Sequence, residues 1–439
     1  MDLRFFHRTT SSSITTNIPV RILTPILPKA KPRLAIIAGH PVQYVAPWLT
    51  QLGSLDQLEV HVFYLWDFGV VQTKDPGFGI TLEWDIPLLE GYSHSFVQNL
   101  SVDPGNHHFN GYINPTLARE VAAWKPDVIL LMNYAFRTYF RFLIDPRIWP
   151  IPIIFRGDSH DVGRRGGLKT KLTRIMRRII FSRFALFLDV GRNNRDYLLA
   201  SAVSPSKMIR APHAIDNQRF QEAKDRAEQE GILLRRRLGV AEDEVLICFV
   251  GKLIPIKRPF DLLEAFTTLP DNRLRKAKLL FVGEGGLKSS LRAASQPLDS
   301  VLFLDFQNQS NLPGVYAASD LIVLPSQSET WGLVINEAMN LSCPAVVSDH
   351  VGCAPDLVIP DFTGWVYPTG DVAQLRNSLA QAIDNPARLK WMGQNASELI
   401  KDFSFESLTT GLLTAVDRVI RKSGDYPPSN LEKSPRIAA

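Results

Sequence analysis

Short apolar runs alternate with amphipathic stretches along most of the chain. In the first half, apolar runs of strand length lie at 34–38, 58–65, 127–132, 151–155 and 184–190. Stretches with helical periodicity lie between several of them, at 44–52, 117–124 and 138–144. Because the apolar runs are continuous rather than alternating, they are typical of strands buried on both faces of a parallel sheet.

The second half repeats this order more regularly. Its apolar runs lie at 245–250, 278–282, 301–304, 320–325, 344–348 and 364–367. Helices are predicted at 222–237, 260–269, 286–294, 372–383 and 387–401. This alternation predicts an α/β fold with doubly wound parallel sheets, in which ligands bind at the carboxyl ends of the strands.

A chain of 439 residues is too long for one ordinary core, so two domains are expected. We predict two Rossmann-like domains that face a central cleft, one over 33–214 and one over 215–404 that includes the hinge. The remaining segments are a variable or disordered N-terminal extension over 1–32, a C-terminal helix over 405–422 and a disordered tail over 423–439. The extension is rich in Ser and Thr, so a transit peptide stays open beside an unstructured segment.

Composition narrows the class of protein. Hydrophobic residues make up 45% and charged residues 21% of the chain, which is typical of a soluble globular enzyme and excludes a largely disordered one. Three cysteines without a CxxC spacing argue against a disulfide framework or a zinc site and favour a reducing compartment. No apolar run reaches the roughly 18 residues that a membrane span needs. We therefore expect a cytoplasmic protein.

The segment 164–183 is strongly basic, with eight lysines and arginines and no acid. Its apolar residues recur at helical spacing, at Leu168, Leu172, Ile175, Met176, Ile179 and Ile180. Two interpretations stay open: peripheral contact with an anionic membrane near a lipid-linked acceptor, or a helix that packs on the sheet and leaves a basic face in solvent. Because the charge is local and no nucleic-acid-binding module is recognisable, we expect no nucleic-acid partner.

The strand over 245–250 is followed by residues that suit a phosphate group. Gly251 lets the backbone approach a ligand closely, and Lys252 and Lys257 add two positive charges. A second strand ends at Gly283, where the sequence GEGG is weaker evidence because an ordinary tight turn explains it equally well. Together these residues predict a site for a diphosphate, which gains negative charge when it departs as a leaving group.

The stretch SETWGLVINEAM adds an anion site and two carboxylates. Gly332 opens a helix, and the free backbone N–H groups around Leu333 and Val334 can bind an anion without any side chain. Glu329 precedes this helix, and Glu337 lies about two turns inside it. Carboxylates accept hydrogen bonds from paired hydroxyl groups, as a sugar and a ribose offer on the two sides of a diphosphate. The stretch therefore predicts a nucleotide-sugar site.

These segments resemble the retaining glycosyltransferases of family 4, which have the two-domain GT-B architecture. The resemblance rests on motifs that occur in the family's order: Phe249–Lys257, Phe281–Gly285, Val315–Asp320, Ser328–Ala338, Pro344, Ser348–Asp349, Val351–Gly352 and Gly364. It implies that the C-terminal domain binds the donor and that the N-terminal domain binds the acceptor. It also implies that Lys252 and Lys257 hold the donor diphosphate and that the amides of Leu333 and Val334 bind phosphate.

The same resemblance separates the roles of the two glutamates. Glu329 is implied to be a catalytic residue at the hydroxyl groups of the donor sugar, and Glu337 is implied to bind the ribose. The chain departs from the family where Ser342 and Cys343 replace the usual Gly-Leu pair, and where Lys252 stands in place of Arg. These changes remove no charge, so we expect an active enzyme whose donor choice they can affect.

The chain contains no DxD triplet, the metal-binding signature of the other main glycosyltransferase architecture. The lysines and the helix N-terminus would then stabilise the departing diphosphate without a cation. We therefore predict metal-independent transfer and no cofactor, the nucleotide sugar being a substrate.

Polar residues follow two predicted strand ends of the N-terminal domain. His40 and Gln43 follow the first strand and could contact the acceptor or the donor, although His40 can equally be a turn residue before a proline. Arg156, Asp158 and His160 end the strand over 151–155, where we expect a residue that contacts the sugar or acts in catalysis. We list Asp158 and His160 as catalytic candidates and Arg156 as a cleft residue, without choosing among the three. A surface loop with an internal Arg–Asp pair is the alternative.

The function predicted from the sequence is retaining transfer of a hexose-type sugar from a UDP- or GDP-sugar to a hydroxyl group of a glycan or lipid-linked acceptor. Polysaccharide, lipopolysaccharide and glycolipid synthesis all fit this prediction. A sugar-nucleotide epimerase of similar fold and a non-catalytic GT-B scaffold stay open as alternatives. The sequence leaves open the base, the sugar, the acceptor, the linkage and the oligomeric state.

Overall fold

The computed structural model describes residues 31–70, 73–74, 77–163, 167–296 and 298–422. Most of the predicted N-terminal extension, the predicted tail and the first three residues of the basic segment lie outside this part of the chain.

The N-terminal domain alternates strands and helices. Its elements are β1 (Arg33–Ala38), α1 (Ala46–Gly53), β2 (Glu59–Tyr64), β3 (Thr73–Lys74), β4 (Thr81–Leu82), β5 (Ser93–Phe96), α2 (Leu117–Trp124), β6 (Val128–Leu131), α3 (Arg137–Leu143), β7 (Ile153–Arg156), α4 (Leu168–Phe181), β8 (Leu186–Asp189), α5 (Arg192–Ala200) and β9 (Met208–Arg210). Seven of these strands form one parallel sheet in the order β5-β2-β1-β6-β7-β8-β9, while β3 and β4 form a separate antiparallel pair.

The C-terminal domain repeats the pattern. Its elements are α6 (Asn217–Glu222), α7 (Lys224–Arg237), β10 (Val245–Val250), α8 (Pro259–Thr267), α9 (Asp271–Leu274), β11 (Ala277–Val282), α10 (Lys288–Ser295), β12 (Val301–Leu304), α11 (Leu312–Ala318), β13 (Leu321–Leu324), α12 (Leu333–Asn340), β14 (Ala345–Ser348), α13 (Ala354–Leu357), β15 (Gly364–Tyr367), α14 (Val372–Asp384), α15 (Pro386–Leu399) and α16 (Phe405–Lys422). Its six strands form a parallel sheet in the order β12-β11-β10-β13-β14-β15. The predicted pair of doubly wound α/β domains is therefore confirmed.

Each sheet is buried on both faces. All six residues of β10 are buried, and successive side chains enter two different clusters of apolar residues, one on each side of the sheet. Continuous apolar sequence is the expected signature of such strands. The strand order reverses beside β1 in one domain and beside β10 in the other, so both strands end at the cleft.

The last helix, α16, returns to the N-terminal domain. Leu408, Leu412 and Val416 are buried in the same cluster as residues of β1, β6 and β8. Trp48 of α1 donates a hydrogen bond from its indole nitrogen to the Thr409 hydroxyl, at 3.1 Å. The end of the chain therefore completes the core of the first domain.

The helix α4 turns its apolar side outward. Its exposed apolar side chains are Leu172 (59% exposed), Ile175 (58%), Met176 (51%) and Ile179 (68%). Arg177 is buried instead, with its guanidinium 2.8 Å from an Asp161 carboxylate oxygen and 4.2 Å from the Tyr197 ring centroid. The expectation of a helix that packs on the sheet through this apolar face is therefore wrong. A paired and stacked arginine is stable inside, so the face that carries Arg177 packs inward.

Candidate functional site

The two domains meet around the stretch that contains Glu329. The His160 ring nitrogen Nε2 lies 2.8 Å from the Glu329 backbone carbonyl oxygen, and Asn193 donates to the Gly352 carbonyl at 3.1 Å. Asn336 of α12 donates to the backbone carbonyl of His213, at 3.1 Å, in the connection between the domains. These contacts bring the carboxyl ends of the two sheets together around one cleft.

The helix α12 presents an uncapped N-terminus to this cleft. Gly332 adopts a left-handed conformation with φ of 101°, and a Cβ there would lie 3.0 Å from Leu324 and 3.1 Å from Val351. Glycine is therefore required by both conformation and space. No side chain in the described part of the chain caps this helix, whose first residues are Leu333 and Val334. Their backbone N–H groups are suited to an anion.

Lys257 and Glu329 lie side by side in the cleft. The Lys257 ammonium forms an ion pair with Glu329, and both side chains are mostly buried. The carboxylate of Glu329 is therefore neutralised by the lysine expected to bind a phosphate. A donor that binds here has to share or replace this pair.

The ends of β10 and β11 touch through glycines. Gly251 and Gly283 have positive φ angles of 149° and 139°, and a Cβ on Gly283 would lie 2.1 Å from the Gly251 carbonyl oxygen. Lys252 extends from this point to place its ammonium 4.7 Å from the ring centroid of Phe78 in the N-terminal domain. The Lys252 ammonium therefore contacts the N-terminal domain.

Glu337 is fully buried behind the anion site. The Tyr316 hydroxyl donates a hydrogen bond of 2.6 Å to its Oε2 atom, while Oε1 has no hydrogen-bond partner among the described residues. Burial raises the pKa of Glu337 to about 7, although the Tyr316 hydrogen bond and the positive charge of Arg219 oppose this. Arg219 is held by Gln309, donating at 2.9 Å to its carbonyl and at 2.8 Å to its side chain.

A cavity connects Glu337 with the strand ends. Its lining includes Gly251 and Gly283, the amide side chains of Gln43 and Gln309, and three aromatic residues, namely Phe78, Trp84 and Phe306. The cavity is mainly apolar, and Glu337 is among its lining residues. Such an arrangement can hold a flat ring together with a pair of hydroxyl groups.

Asp158 faces a histidine that the sequence analysis did not select. The His213 ring nitrogen Nε2 lies 3.8 Å from the Asp158 carboxylate, and the His213 ring lies 5.5 Å from that of Trp331. Partial burial would raise the pKa of Asp158, but hydrogen bonding and charge from His213, with the Thr330 hydroxyl, hold it at about 2. Burial and the nearby Arg156 charge lower the pKa of His213 despite Asp158. Asp158 is therefore ionised at neutral pH.

The other predicted residues of the N-terminal domain take different positions. The Val162 backbone N–H donates to His160 Nδ1 at 3.2 Å, so both His160 ring nitrogens have partners. Arg156 is buried below Asp158. His40 lines a separate cavity with Tyr112, whose hydroxyl lies 3.4 Å from its Nδ1 atom, whereas Gln43 lines the cavity of Glu337. His40 and Gln43 therefore line different cavities.

Among the described residues, one group of side chains is arranged as metal ligands. The ligand atoms of Asp103, His107 and His108 lie within 4.8 Å of one another on a largely exposed loop. His107 Nε2 lies 3.0 Å from the Asp103 carboxylate, and His108 Nε2 lies 2.9 Å from the Asp103 backbone carbonyl oxygen. These residues are not in the group around Glu329 and Lys257.

Residues 232–399 match the model of a protein family described as glycosyl transferases group 1. The C-terminal domain belongs to the group 1 glycosyl transferases. This match confirms the family resemblance inferred from the sequence motifs, all of which lie within residues 232–399.

Curated relatives match between about half and two thirds of the chain. The D-inositol 3-phosphate glycosyltransferase of Gordonia bronchialis is 31% identical over 219 residues, which cover 47% of this chain and 47% of that protein. The sulfoquinovosyl transferase SQD2 of Arabidopsis thaliana is 24% identical over 307 residues, covering 68% of this chain and 58% of that protein. The chain therefore spans about half the length of the curated relatives that it matches most strongly.

Solved structures share the fold over most of the chain. The crystal structure of HepE from Anabaena, in complex with UDP and glucose, is similar with a TM-score of 0.61 at 17% identity. The similarity covers 89% of this chain and 98% of that one. The fold is therefore GT-B, as predicted. Among the described residues, no helix is long and apolar enough to span a bilayer.

Proposed function

We propose that this protein is a retaining glycosyltransferase that moves a hexose from a UDP- or GDP-sugar to a hydroxyl group of a glycan or lipid-linked acceptor. The observation that carries the proposal is the Lys257–Glu329 pair beside the uncapped N-terminus of α12, with Glu337 buried behind it. This arrangement offers an anion site between two carboxylates, as a diphosphate between two hydroxyl-bearing groups requires. The membership of the C-terminal domain in the group 1 family and the UDP bound by HepE support the same donor class.

In the proposed reaction, the bond between the sugar C1 atom and the diphosphate oxygen breaks, and its electron pair leaves with the diphosphate. The acceptor oxygen bonds to C1 on the same face, and its proton passes to an oxygen of the departing diphosphate. Lys252, Lys257 and the first N–H groups of α12 stabilise the developing negative charge. Asp158, ionised at neutral pH, orients the acceptor hydroxyl by accepting its hydrogen bond.

A thermal-shift screen of UDP-, GDP- and ADP-sugars tests the donor, because a ligand that binds only the folded protein raises its melting temperature. Glu329→Gln should abolish most transfer while leaving the fold intact, and Glu228→Gln, at an exposed position, is the matched control. Transfer by Glu329→Gln at the rate of the control would contradict the assignment.

The epimerase and scaffold alternatives predict different results with the same nucleotide sugars. An epimerase would convert the donor into its epimer without any acceptor, which chromatography of the nucleotide sugars detects. A non-catalytic scaffold would bind none of the three donor classes. The chemistry of Lys257, Glu329 and Glu337 favours the transferase over both.

We also propose that transfer needs no metal ion. Activity should persist in EDTA and should not increase with Mg²⁺ or Mn²⁺, since two lysines serve the diphosphate. His107→Ala removes one candidate ligand from the exposed group of Asp103, His107 and His108. The variant therefore tests whether that group accounts for any effect of a chelator. A chelator effect that survives in this variant would place a metal in the cleft and refute metal independence.

Contact with an anionic membrane through the basic helix 164–183 is proposed from the orientation of α4. Its outward apolar side chains are flanked by exposed Lys171, Arg174 and Arg178. The guanidinium of Arg183 donates at 2.7 Å to the Ile148 carbonyl, which places the exposed Trp149 near the end of this helix. An apolar stripe with basic flanks fits an anionic lipid surface, which offers both hydrocarbon and negative charge.

Flotation with vesicles tests this contact. The protein should float with vesicles of phosphatidylcholine and phosphatidylglycerol at low salt, and not with phosphatidylcholine alone. The double variant Ile175→Ser/Ile179→Ser should lose most binding, whereas Ile232→Ser/Leu233→Ser on α7 removes two equally exposed apolar residues and should not. Equal flotation of the two double variants would overturn the contact through α4.

A further inference from the structure

A segment of the N-terminal domain covers the cavity that leads to Glu337. The ring of Phe78 lies 5.1 Å from that of Phe306 in the C-terminal domain, at an angle of 71°. Trp84 contacts the same ring at 6.1 Å and 68°. The three rings therefore form one aromatic cluster that spans the two domains.

Polar contacts fix the end of this segment on the C-terminal domain. Asn308 donates from its side chain to the Glu83 backbone carbonyl at 2.7 Å. The backbone N–H of Ser310 donates to the Asp85 carboxylate at 3.0 Å, and the Ser310 hydroxyl donates to the same oxygen. Trp84 lies between Glu83 and Asp85, so its indole is held against the loop that follows β12.

The cavity behind these rings suits a planar, uncharged group. Phe78, Trp84 and Phe306 line one part of it, and the glycine ends of β10 and β11 line another. Rings that meet edge to face leave flat faces on which a further ring can stack. Glu337 lines the same cavity, and its negative charge would repel a phosphate but accept hydrogen bonds from hydroxyl groups.

We infer that Phe78 and Trp84 form an aromatic lid that binds the base of the donor nucleotide, so that both domains hold the nucleoside. This inference rests on the proposed function and names residues of the first domain as part of the donor site. Lys252 links the lid to the diphosphate, because its ammonium lies 4.7 Å from the Phe78 ring centroid. A nucleoside diphosphate would thus engage the lid and the phosphate site together.

Calorimetric titration with UDP and with GDP tests the energetic part of the inference. Stacking of a base on an aromatic side chain accounts for roughly a 5- to 150-fold change in affinity in other proteins. We expect Phe78→Ala and Trp84→Ala each to lower the affinity about tenfold for whichever of UDP and GDP the wild type binds more tightly. Trp391→Ala removes an exposed indole outside this cluster and should bind like the wild type.

Fluorescence tests the location of the base. The chain has eight tryptophans, so the contribution of Trp84 is the difference between the wild type and Trp84→Phe. Nucleotide should quench the fluorescence of the wild type and of Trp391→Phe. The quenching should largely disappear in Trp84→Phe, which keeps a ring and should still bind nucleotide in calorimetry. This loss of signal with retained binding distinguishes contact with the base from a role in domain packing.

Two results separate the lid from the proposed function. Wild-type protein that binds neither UDP, GDP nor ADP would overturn the proposed function and the lid with it. Wild-type binding with unchanged affinity in Phe78→Ala and Trp84→Ala, or undiminished quenching in Trp84→Phe, would overturn the lid alone.

Discussion

Glu337→Gln tests whether ionisation of the buried Glu337 carboxylate destabilises the folded protein when no donor is bound. The carboxyl group has an ordinary pKa of 4.5 and a pKa of about 7 in the folded protein, where burial disfavours the ionised form. Between these values the folded state holds more protons than the unfolded state, so the free energy of unfolding falls as pH rises. At about 1.4 kcal/mol for each pH unit, this interval corresponds to a loss of about 3 kcal/mol by pH 8.

Glutamine keeps the shape of the side chain and can still accept the hydrogen bond from the Tyr316 hydroxyl, but it does not ionise. Without nucleotide, Glu337→Gln should therefore be within about 1 kcal/mol of the wild type at pH 5 and more stable by up to about 3 kcal/mol at pH 8. For a domain of this size, that difference raises the melting temperature by roughly 6 to 12 °C.

The assay is thermal unfolding at pH 5 and pH 8, with Glu242→Gln as the exposed control. If Glu337 accepts hydrogen bonds from the ribose as proposed, the same variant should bind nucleotide about tenfold more weakly, because an amide accepts such bonds less strongly than a carboxylate. An equal change in melting temperature at the two pH values would refute the assignment of a strained, titrating carboxylate.

Three further perturbations address other parts of the molecule. Lys257→Ala should lower kcat by about 100- to 1000-fold in an assay of released nucleoside diphosphate, because it removes a cation from the leaving group; Lys276→Ala, an exposed lysine, should not. Gly191→Ala should separate the domains and lower kcat/KM, because a Cβ there would lie 2.3 Å from Trp331 and 2.8 Å from the Asp356 carboxylate. The control is Gly286→Ala, whose Cβ would meet nothing within 4 Å. Equal kcat/KM in the two variants would contradict the expected separation. Leu412→Ala should destabilise the N-terminal domain by about 2–5 kcal/mol in denaturant unfolding, since this side chain of α16 is fully buried; a change below about 0.5 kcal/mol would show that α16 is dispensable to that core.

The sequence predicted buried strands well because their environment is uniform. The runs 245–250, 301–304 and 364–367 match β10, β12 and β15 at both ends. A strand inside a doubly wound sheet meets apolar groups on both faces, so its sequence alone carries the signal. By contrast, β5 has the sequence SHSF at the edge of its sheet, and such a polar edge strand has no distinctive pattern.

The orientation of α4 shows a limit of periodicity. Helical spacing identifies an apolar stripe, but it does not say whether that stripe meets the protein or another surface. Here Arg177 faces the protein interior, because Asp161 and Tyr197, which lie outside α4, bind its guanidinium. Partners that lie far away in sequence decide which side of such a helix is buried.

For a similar reason, the sequence does not predict the residues that complete the candidate site. Phe78, Trp84 and His213 occur outside the motifs of the C-terminal domain, and they join the site because the two domains approach each other. Motif spacing reports on neighbours within one strand–turn–helix unit. It carries no information about which side chains of the other domain face that unit.

The two glutamates of SETWGLVINEAM have the same charge in the sequence but different electrostatic states in the structure. Glu329 is stabilised by Lys257, so its negative charge is compensated before a donor arrives. The Tyr316 hydroxyl donates to one oxygen of Glu337, and Gln309, Tyr44 and the charge of Arg219 also favour the ionised form, but burial outweighs them. A group with two hydroxyls would add hydrogen bonds that favour the ionised carboxylate, whereas a phosphate would add repulsion. We therefore expect Glu337 to favour a diol over an anion beside it, with the phosphate nearer Lys257 and the N-terminus of α12.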